Sequence, residues 1–326
     1  MDSVTMGPPP KPLLPTAGML REYGIYLALI VLIGYFSISI PEFRTWNNAL
    51  LILLQVSVIG IIAVGMTFTI ITAGIDLSVG SLLAVGGIFS GLFAQKDPTT
   101  FNVIIAFAAP IAIGLLGGAL NGAIIAGAGV NPLIVTLGTL TTFRGFVVWY
   151  RVNPIYDLQP YYETVGQGVV GGIPVPVIIL VLVALSAWIT LSFTRFGRYV
   201  YAVGGNREAA RAAGINVALI TFAVYVISGL CVGIAALIFT SRLMAAQAIS
   251  GQGFELQAIA AAVIGGASLF GGRGKISNTI VGAIIMGVLF NGFVMLDVPQ
   301  PIQQMFVGVI IITAVWLDGF LRKRRR

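Results

Sequence analysis

The chain has 326 residues, of which 58% are hydrophobic and only 9% are charged, and its mean hydropathy is +1.00. Since soluble domains carry about 25% charged residues, this composition excludes a soluble globular protein and indicates an integral membrane protein. The chain has no histidine and one cysteine, and most of its net charge of +7 lies in the tail 322–326, so neither a metal site, nor a disulfide framework, nor nucleic-acid binding is expected.

Ten apolar segments predict an all-α membrane protein with about ten transmembrane helices. Residues 1–22 before them are proline-rich and are expected to be a disordered cytoplasmic N-terminus. The segment 258–270 is too short to cross a bilayer alone, so the predicted range is eight to ten spans. The ten segments are residues 23–40, 49–72, 79–94, 102–127, 132–150, 174–193, 217–241, 258–270, 277–297 and 302–318.

The distribution of lysine and arginine predicts a chain with both termini in the cytoplasm. With ten alternating spans, 13 of the 18 basic residues lie on the cytoplasmic side. The segment 23–318 is then a polytopic membrane domain, 319–326 is a basic cytoplasmic tail, and the polar stretch 151–173 faces outward.

The motif GIDLSVGS (74–81) places an acid, Asp76, between two apolar segments, and a related motif recurs later in the chain. GIDL is followed after eight residues by Gly-Gly, and so is GFEL at 253–256, which contains Glu255. Asn121-Gly122 has a counterpart in Asn291-Gly292. This shared order predicts two repeats, about 49–150 and 217–318, which the ten-span arrangement makes inverted, with interrupted helices as in transporters.

The cytoplasmic loop 194–216 contains NREAARAAG, which predicts a short helix over 207–213. Asn206 is a suitable N-cap, Glu208 lies in the first turn, and Gly214 can adopt the left-handed conformation that ends a helix. Arg207 and Arg211 are expected to share one face. The alanines, namely Ala209, Ala210, Ala212 and Ala213, could dock into a groove on a partner, although a solvated connector would show the same composition.

Several of these stretches together resemble the permease subunits of bacterial ribose-type sugar ABC importers. They are EAA-x3-G at 208–214, GIDLSVGS, NPLIVTLGTL (131–140), RFGRYVYAVGGN (195–206), GFELQAIAAAVIGGASLFGGRG (253–274) and the Asn291-Gly292 region. The resemblance covers about residues 45–318. It departs from the general importer motif downstream of Gly214, where Val224-Tyr225-Val226 lacks the expected proline.

The resemblance implies a non-catalytic subunit of the inner membrane that forms the path of a pentose or hexose. Its implied partners are an ATPase subunit that holds ATP and Mg²⁺, a periplasmic or lipoprotein sugar-binding protein, and a second permease copy, either identical or different. The loop residues Asn206, Arg207, Glu208, Ala209, Ala210, Arg211 and Gly214 would couple the chain to the ATPase. This chain itself has no complete phosphate-binding loop, because in GGRGK (271–275) isoleucine follows the lysine.

Asp76, Ser78, Asn121, Glu255 and Asn291 are the candidates for helix breaks or for the translocation path. Asp76 or Ser78 could cap a helix that starts near residue 77, or Asp76 could serve a gate, contact sugar or couple protons. Two other functions remain open, an ion-coupled secondary transporter and a passive channel. The cytoplasmic helix favours the importer, since only an importer needs a docking site for a separate ATPase.

Overall fold

The structure, a computed structural model, describes residues 17–323 and is built almost entirely of helices. The expectations for residues 1–16 and 324–326 lie outside the described residues. The described part contains thirteen α-helices: α1 (Ala17–Ser39), α2 (Trp46–Ile71), α3 (Val79–Ala94), α4 (Thr100–Ala128), α5 (Pro132–Tyr150), α6 (Glu163–Gly166), α7 (Val175–Phe193), α8 (Arg195–Gly205), α9 (Arg207–Ala212), α10 (Val217–Leu243), α11 (Phe254–Ile264), α12 (Ile276–Met295) and α13 (Gln300–Lys323). It also contains two 3₁₀ turns, Pro41–Arg44 and Pro160–Tyr162, and an antiparallel hairpin of β1 (Val169–Val170) and β2 (Ile173–Pro174).

Each of the ten apolar segments contains one of these helices, so the prediction of an all-α membrane protein is confirmed. Six described helices, α2, α4, α5, α7, α10 and α12, are long and apolar enough to cross a bilayer. The bounds predicted for the eighth segment were wrong, because α11 ends at Ile264. Its 11 residues rise about 16 Å, which is half of the hydrocarbon thickness. The structure therefore does not establish the full count of ten spans.

Helices α2 and α10 form the centre of the bundle and pack against each other. Helix α10 also packs along α4, and small residues bring these two backbones together. A Cβ at Gly114 of α4 would overlap the carbonyl oxygen of Gly229 on α10, and a Cβ at Gly229 would overlap that of Gly114. Gly118 and Gly233, four residues further along each helix, are equally confined. This is the small-xxx-small packing by which helices associate in lipid, where hydrophobic burial gives no driving force.

The two short helices have matching neighbours. Helix α3 packs on α4, α5 and α10, and α11 packs on α12, α13 and α2. In the same way, α10 lies against α4 while α2 lies against α12. Exchanging α2–α5 with α10–α13 therefore reproduces these packed pairs, whereas the packing of α4 on α5 has no counterpart of similar extent between α12 and α13.

The polar segment between α5 and α7 is anchored to the bundle and is not a free loop. The Tyr162 side chain is fully buried and shares a hydrogen bond of 2.5 Å with the Ser90 hydroxyl. The Ser241 hydroxyl at the end of α10 donates to the Tyr162 carbonyl oxygen. Ile155 pairs with Ala246 in an isolated antiparallel bridge. This segment thus covers one end of the bundle and contacts the connection between α10 and α11.

Candidate functional site

The connection 72–78 between α2 and α3 interrupts the helical structure. Ala73 has a φ of +60°, a left-handed conformation that stops α2. At Gly74 a Cβ would lie only 2.5 Å from the Tyr225 hydroxyl oxygen, so glycine permits close contact with α10. The chain then continues in non-helical conformation until α3 begins at Val79.

Asp76 lies in this connection, with a fully buried side chain and three hydrogen bonds to its carboxylate. One oxygen accepts from the Ser78 backbone N–H at 3.1 Å and from the Ser78 hydroxyl at 2.6 Å. The other oxygen accepts from the Ser228 hydroxyl on α10 at 2.9 Å. A buried charge is tolerated when such donors satisfy it, so the network explains why an acid can occupy this position.

Ser78 extends the network to α4. Its hydroxyl donates to Asp76 and accepts from the Asn121 side-chain amide at 2.8 Å. Ser78 is the N-cap residue of α3, but its side chain makes no capping hydrogen bond. The Asp76 carboxylate binds the Ser78 amide and not the amides of the first turn. Asp76 thus satisfies one backbone N–H that the break exposes, and the same side chains also connect three segments.

Two further hydrogen bonds hold the connection through its backbone. The Ile75 carbonyl oxygen accepts from the Tyr225 hydroxyl on α10 at 3.3 Å and from the Thr136 hydroxyl on α5 at 3.2 Å. None of these side chains was predicted as a site residue, although Thr136 lies in the stretch NPLIVTLGTL (131–140) and Tyr225 lies where the chain departs from the general importer motif. Ser228 belongs to no quoted motif and was also missed. Tyr225 and Ser228 are three residues apart on one face of α10, which is the one local signal that could have indicated them.

The connection 244–253 between α10 and α11 is held by a different set of groups. The Arg144 guanidinium on α5 donates to the carbonyl oxygens of Ala248 and Ser250, the latter at 3.0 Å. The carboxylate of Glu255, which is partly buried, accepts from the Gly253 amide at 3.3 Å. Arg144 was not among the predicted site residues, so its role in ordering this connection was missed.

The connection 244–253 contacts the first turn of α3 at two glycines, Gly251 and Gly80. A Cβ on Gly251 would lie 2.6 Å from the carbonyl oxygen of Gly80, and Gly251 has a φ of +70°. A Cβ on Gly80 would lie 2.5 Å from a Glu255 carboxylate oxygen. Glu255 therefore borders the first turn of α3, and the structure brings it near the segment that contains Asp76 and Ser78.

Asn291 is separated from that group. It forms a reciprocal amide pair with Asn48 of α2, with hydrogen bonds of 3.0 and 2.8 Å. Both side chains are buried. The Asn48 amide also donates to the Phe43 carbonyl oxygen at 3.2 Å. Asn291 thus joins α12 to α2 rather than contacting Asp76 or Asn121.

The loop 194–216 contains two helices where one was predicted. Helix α8 precedes the expected helix, and α9 ends at Ala212, one residue earlier than predicted. The Asn206 side chain accepts from the Ala209 amide at 3.0 Å, and Gly214 has a φ of +81°, as their sequence positions indicated. The predicted alanine face is wrong in one respect. Ala210 is buried in the chain's own core, whereas its neighbours are exposed.

Arg207 and Arg211 have different environments. The Arg207 guanidinium donates to the Thr72 carbonyl oxygen at 3.2 Å, so it contacts the start of the connection 72–78. Arg211 forms an ion pair of 3.1 Å with Glu208, and both side chains are mostly exposed. Ion pairs in such positions contribute little to stability, so Arg207 is the arginine that connects the loop to the bundle.

A second segment reinforces this contact. The Gly272 amide donates to the Ile71 carbonyl oxygen at 2.8 Å, and Gly204 of α8 packs directly on the same carbonyl. The Tyr201 hydroxyl donates to the Gly274 carbonyl oxygen at 2.7 Å, and partial burial raises the pKa of Tyr201, which keeps this donor protonated. The end of α2 is thus enclosed by α8, α9 and the loop before α12.

Sequence comparisons agree with this architecture. Residues 48–315 match the family described as branched-chain amino acid transport system / permease component. The chain is 41% identical to the ribose import permease protein RbsC of Haemophilus influenzae, over 94% of this chain and 95% of that protein. It is 42% identical to RbsC of Bacillus subtilis over 92% and 94%, and 39% identical to the D-allose transport system permease protein AlsC of Escherichia coli over 93% of each. No solved structure matches the chain.

Proposed function

Because this chain belongs to the branched-chain amino acid transport system / permease component family, we propose that it is the permease subunit of an ATP-driven ABC importer for a monosaccharide. The observation that carries the proposal is its likeness, over nearly its whole length, to permeases named for ribose and allose import. The cargo is a ribose-like pentose or a hexose, and the membrane is the bacterial inner membrane. The chain is non-catalytic, and a separate subunit hydrolyses ATP.

Helices α8 and α9 form the docking surface for that ATPase subunit, which holds ATP and Mg²⁺. The route from this surface into the membrane runs through Arg207, which holds the Thr72 carbonyl. The connection beyond Thr72 leads to Asp76, which is bonded to α10 through Ser228. A movement of α9 therefore reaches the bundle centre through these two hydrogen bonds and the backbone between Thr72 and Asp76. Such a movement biases the balance between inward- and outward-open states.

The repeat halves 49–150 and 217–318 are inverted copies in this proposal. The matching neighbours of α3 and α11 support a repeat, because exchanging the halves reproduces their packing, and the ten-span arrangement then makes the two copies inverted. The basic residues of α8, α9 and the tail face the cytoplasm, so both termini lie inside. A sugar-binding protein delivers cargo at the opposite end, which the segment 151–174 covers. A second, identical permease copy completes the translocation path.

An ion-coupled transporter is less consistent with the site. Both Asp76 oxygens already accept hydrogen bonds from the chain's own residues. Proteoliposomes provide the test. The complete transporter contains the permease, the ATPase subunit and the binding protein. It should accumulate labelled ribose only when ATP is present on the side of the vesicle membrane that carries the ATPase subunit. Accumulation by the permease alone, driven by a proton or sodium gradient, would contradict the proposal.

A further inference from the structure

Two neighbouring cavities lie on the face of the bundle formed by α2, α10, α11, α12 and α13. One is lined by α2, α10, α11 and α12 and has a volume of about 200 Å³, and the other, about 440 Å³, lies between α11, α12 and α13. They share Phe254, Gln257 and Phe290, so they form one continuous space, which we call the glutamine cleft. The larger volume falls within the range of about 300–1,000 Å³ that small-molecule sites occupy.

The cleft has an unusual concentration of amide side chains for a membrane protein. Six of the ten glutamines in the chain line it, and no acidic residue does. Arg242 is its one lining cation. The six are Gln55, Gln252, Gln257, Gln300, Gln303 and Gln304.

Several of these polar groups have unused hydrogen-bonding capacity. Within the described part of the chain, the side chains of Gln55, Gln257 and Arg242 make no hydrogen bond, although all three are partly buried. Gln303 is nine-tenths buried and uses only its amide N–H, which donates to Val298 at 2.8 Å. Polar groups at membrane depth need partners, so the cleft is suited to water or to a polar ligand rather than to lipid chains.

The cleft lies at the end of the bundle that the segment 151–174 covers. The Gln167 side chain of that segment donates to the Arg242 carbonyl oxygen at 3.1 Å, next to the cleft. Under the proposed function this end faces the sugar-binding protein. The aromatic rings of Phe239 and Phe254 lie edge to face at 5.3 Å and form an apolar wall opposite the amides.

We propose that the glutamine cleft is the site where the imported monosaccharide binds within the membrane, an inference that rests on the proposed function. Amide groups both donate and accept, so they match sugar hydroxyls, and the phenylalanine rings provide apolar contact for the C–H face of the ring. The lack of acidic groups makes the cleft suited to a neutral polyol rather than to a cation. Asp76 and its network then support the helices and do not contact the sugar.

The test compares Gln257→Leu and Gln55→Leu in the complete transporter, with D-ribose and D-allose as labelled probes. Leucine has a similar size, so membrane insertion and assembly with the ATPase subunit should remain near wild type. Loss of one hydrogen bond should raise the transport KM about threefold to tenfold for the sugar that the wild type carries. Gln257→Asn keeps an amide on a shorter side chain. Its transport KM should lie between that of the wild type and that of Gln257→Leu. Gln95→Leu, at the end of α3 and outside the cleft, is the matched control.

The outcomes separate the two proposals. A wild-type KM in both leucine variants, with normal assembly, would overturn the glutamine cleft while leaving the importer intact. A wild-type transporter that hydrolyses ATP but takes up neither probe nor any other monosaccharide would overturn the proposed function itself. Equal effects of Gln95→Leu and Gln257→Leu on KM would show that the change is not local to the cleft, and would also overturn the site.

Discussion

The Asp76 carboxylate accepts a hydrogen bond of 2.9 Å from the Ser228 hydroxyl, which comes 152 residues later in the chain. This contact joins the connection 72–78 to the central helix α10, and through Ser78 it also includes Asn121 of α4. The motif GIDLSVGS (74–81) therefore lies where the two halves of the bundle meet.

Ser228→Ala should destabilise the protein because it removes one donor from a buried carboxylate. Hydrogen bonds to charged groups contribute about 1.5–3 kcal/mol, so we expect a clear fall in Tm in detergent. Asp76→Asn should also lower Tm, and the double variant should lose less than the sum of the two single variants, because both remove the same contact. Additive losses would mean that Asp76 and Ser228 act independently. Thr141→Ala, on the exposed part of α5, is a suitable control.

Arg207→Ala should reduce ATP-driven uptake, whereas Arg211→Ala should leave it close to wild type. Arg207 holds the Thr72 carbonyl, while Arg211 pairs with Glu208 on the exposed side of α9. Transport rate and ATP hydrolysis are measured in parallel in proteoliposomes. We expect hydrolysis to persist in Arg207→Ala with less sugar moved per ATP. If both variants behaved alike, the proposed route from α9 to Asp76 would not exist.

Gly214→Leu should leave membrane insertion intact while weakening association with the ATPase subunit. Its φ of +81° strains any residue with a Cβ, so the end of α9 must change shape. Gly205→Ala is the control, because that glycine has open space around it and no left-handed conformation. Co-purification of the ATPase subunit with each variant gives the measurement. Undiminished co-purification and uptake in Gly214→Leu would identify the loop as a simple connector.

Gly114→Ala should destabilise the bundle, because its new methyl group would overlap the Gly229 carbonyl and force α4 away from α10. Overpacking of this kind costs about 1–3 kcal/mol. Gly127→Ala on the same helix has no atom within 4 Å of the added carbon and should be neutral or slightly stabilising. Thermal unfolding of both variants in detergent tests the difference. Equal Tm values would show that the two helices can separate without cost.

The sequence predicts the helices well because each one follows from local chemistry. A run of apolar residues must form hydrogen-bonded helix in lipid, and this alone locates ten helices. The caps of α9 are equally local, since Asn206 and Gly214 act on backbone groups within a few residues. Helix α8 was not predicted because its residues are amphipathic and lie outside the ten apolar segments.

The partners of those helices were decided by tertiary structure alone. Asp76 is conspicuous in the sequence, but its bond to Ser228 depends on how α2, α4 and α10 pack, and no local spacing encodes that distance. The pairing of Asn291 with Asn48 and the gathering of glutamines from α2, α11 and α13 arise in the same way. The chain's sequence determines which segments enter the membrane, because transfer from water to lipid is a property of each segment. Which polar groups meet inside is determined only when close backbone contacts, such as Gly114 against Gly229, set the positions of the helices.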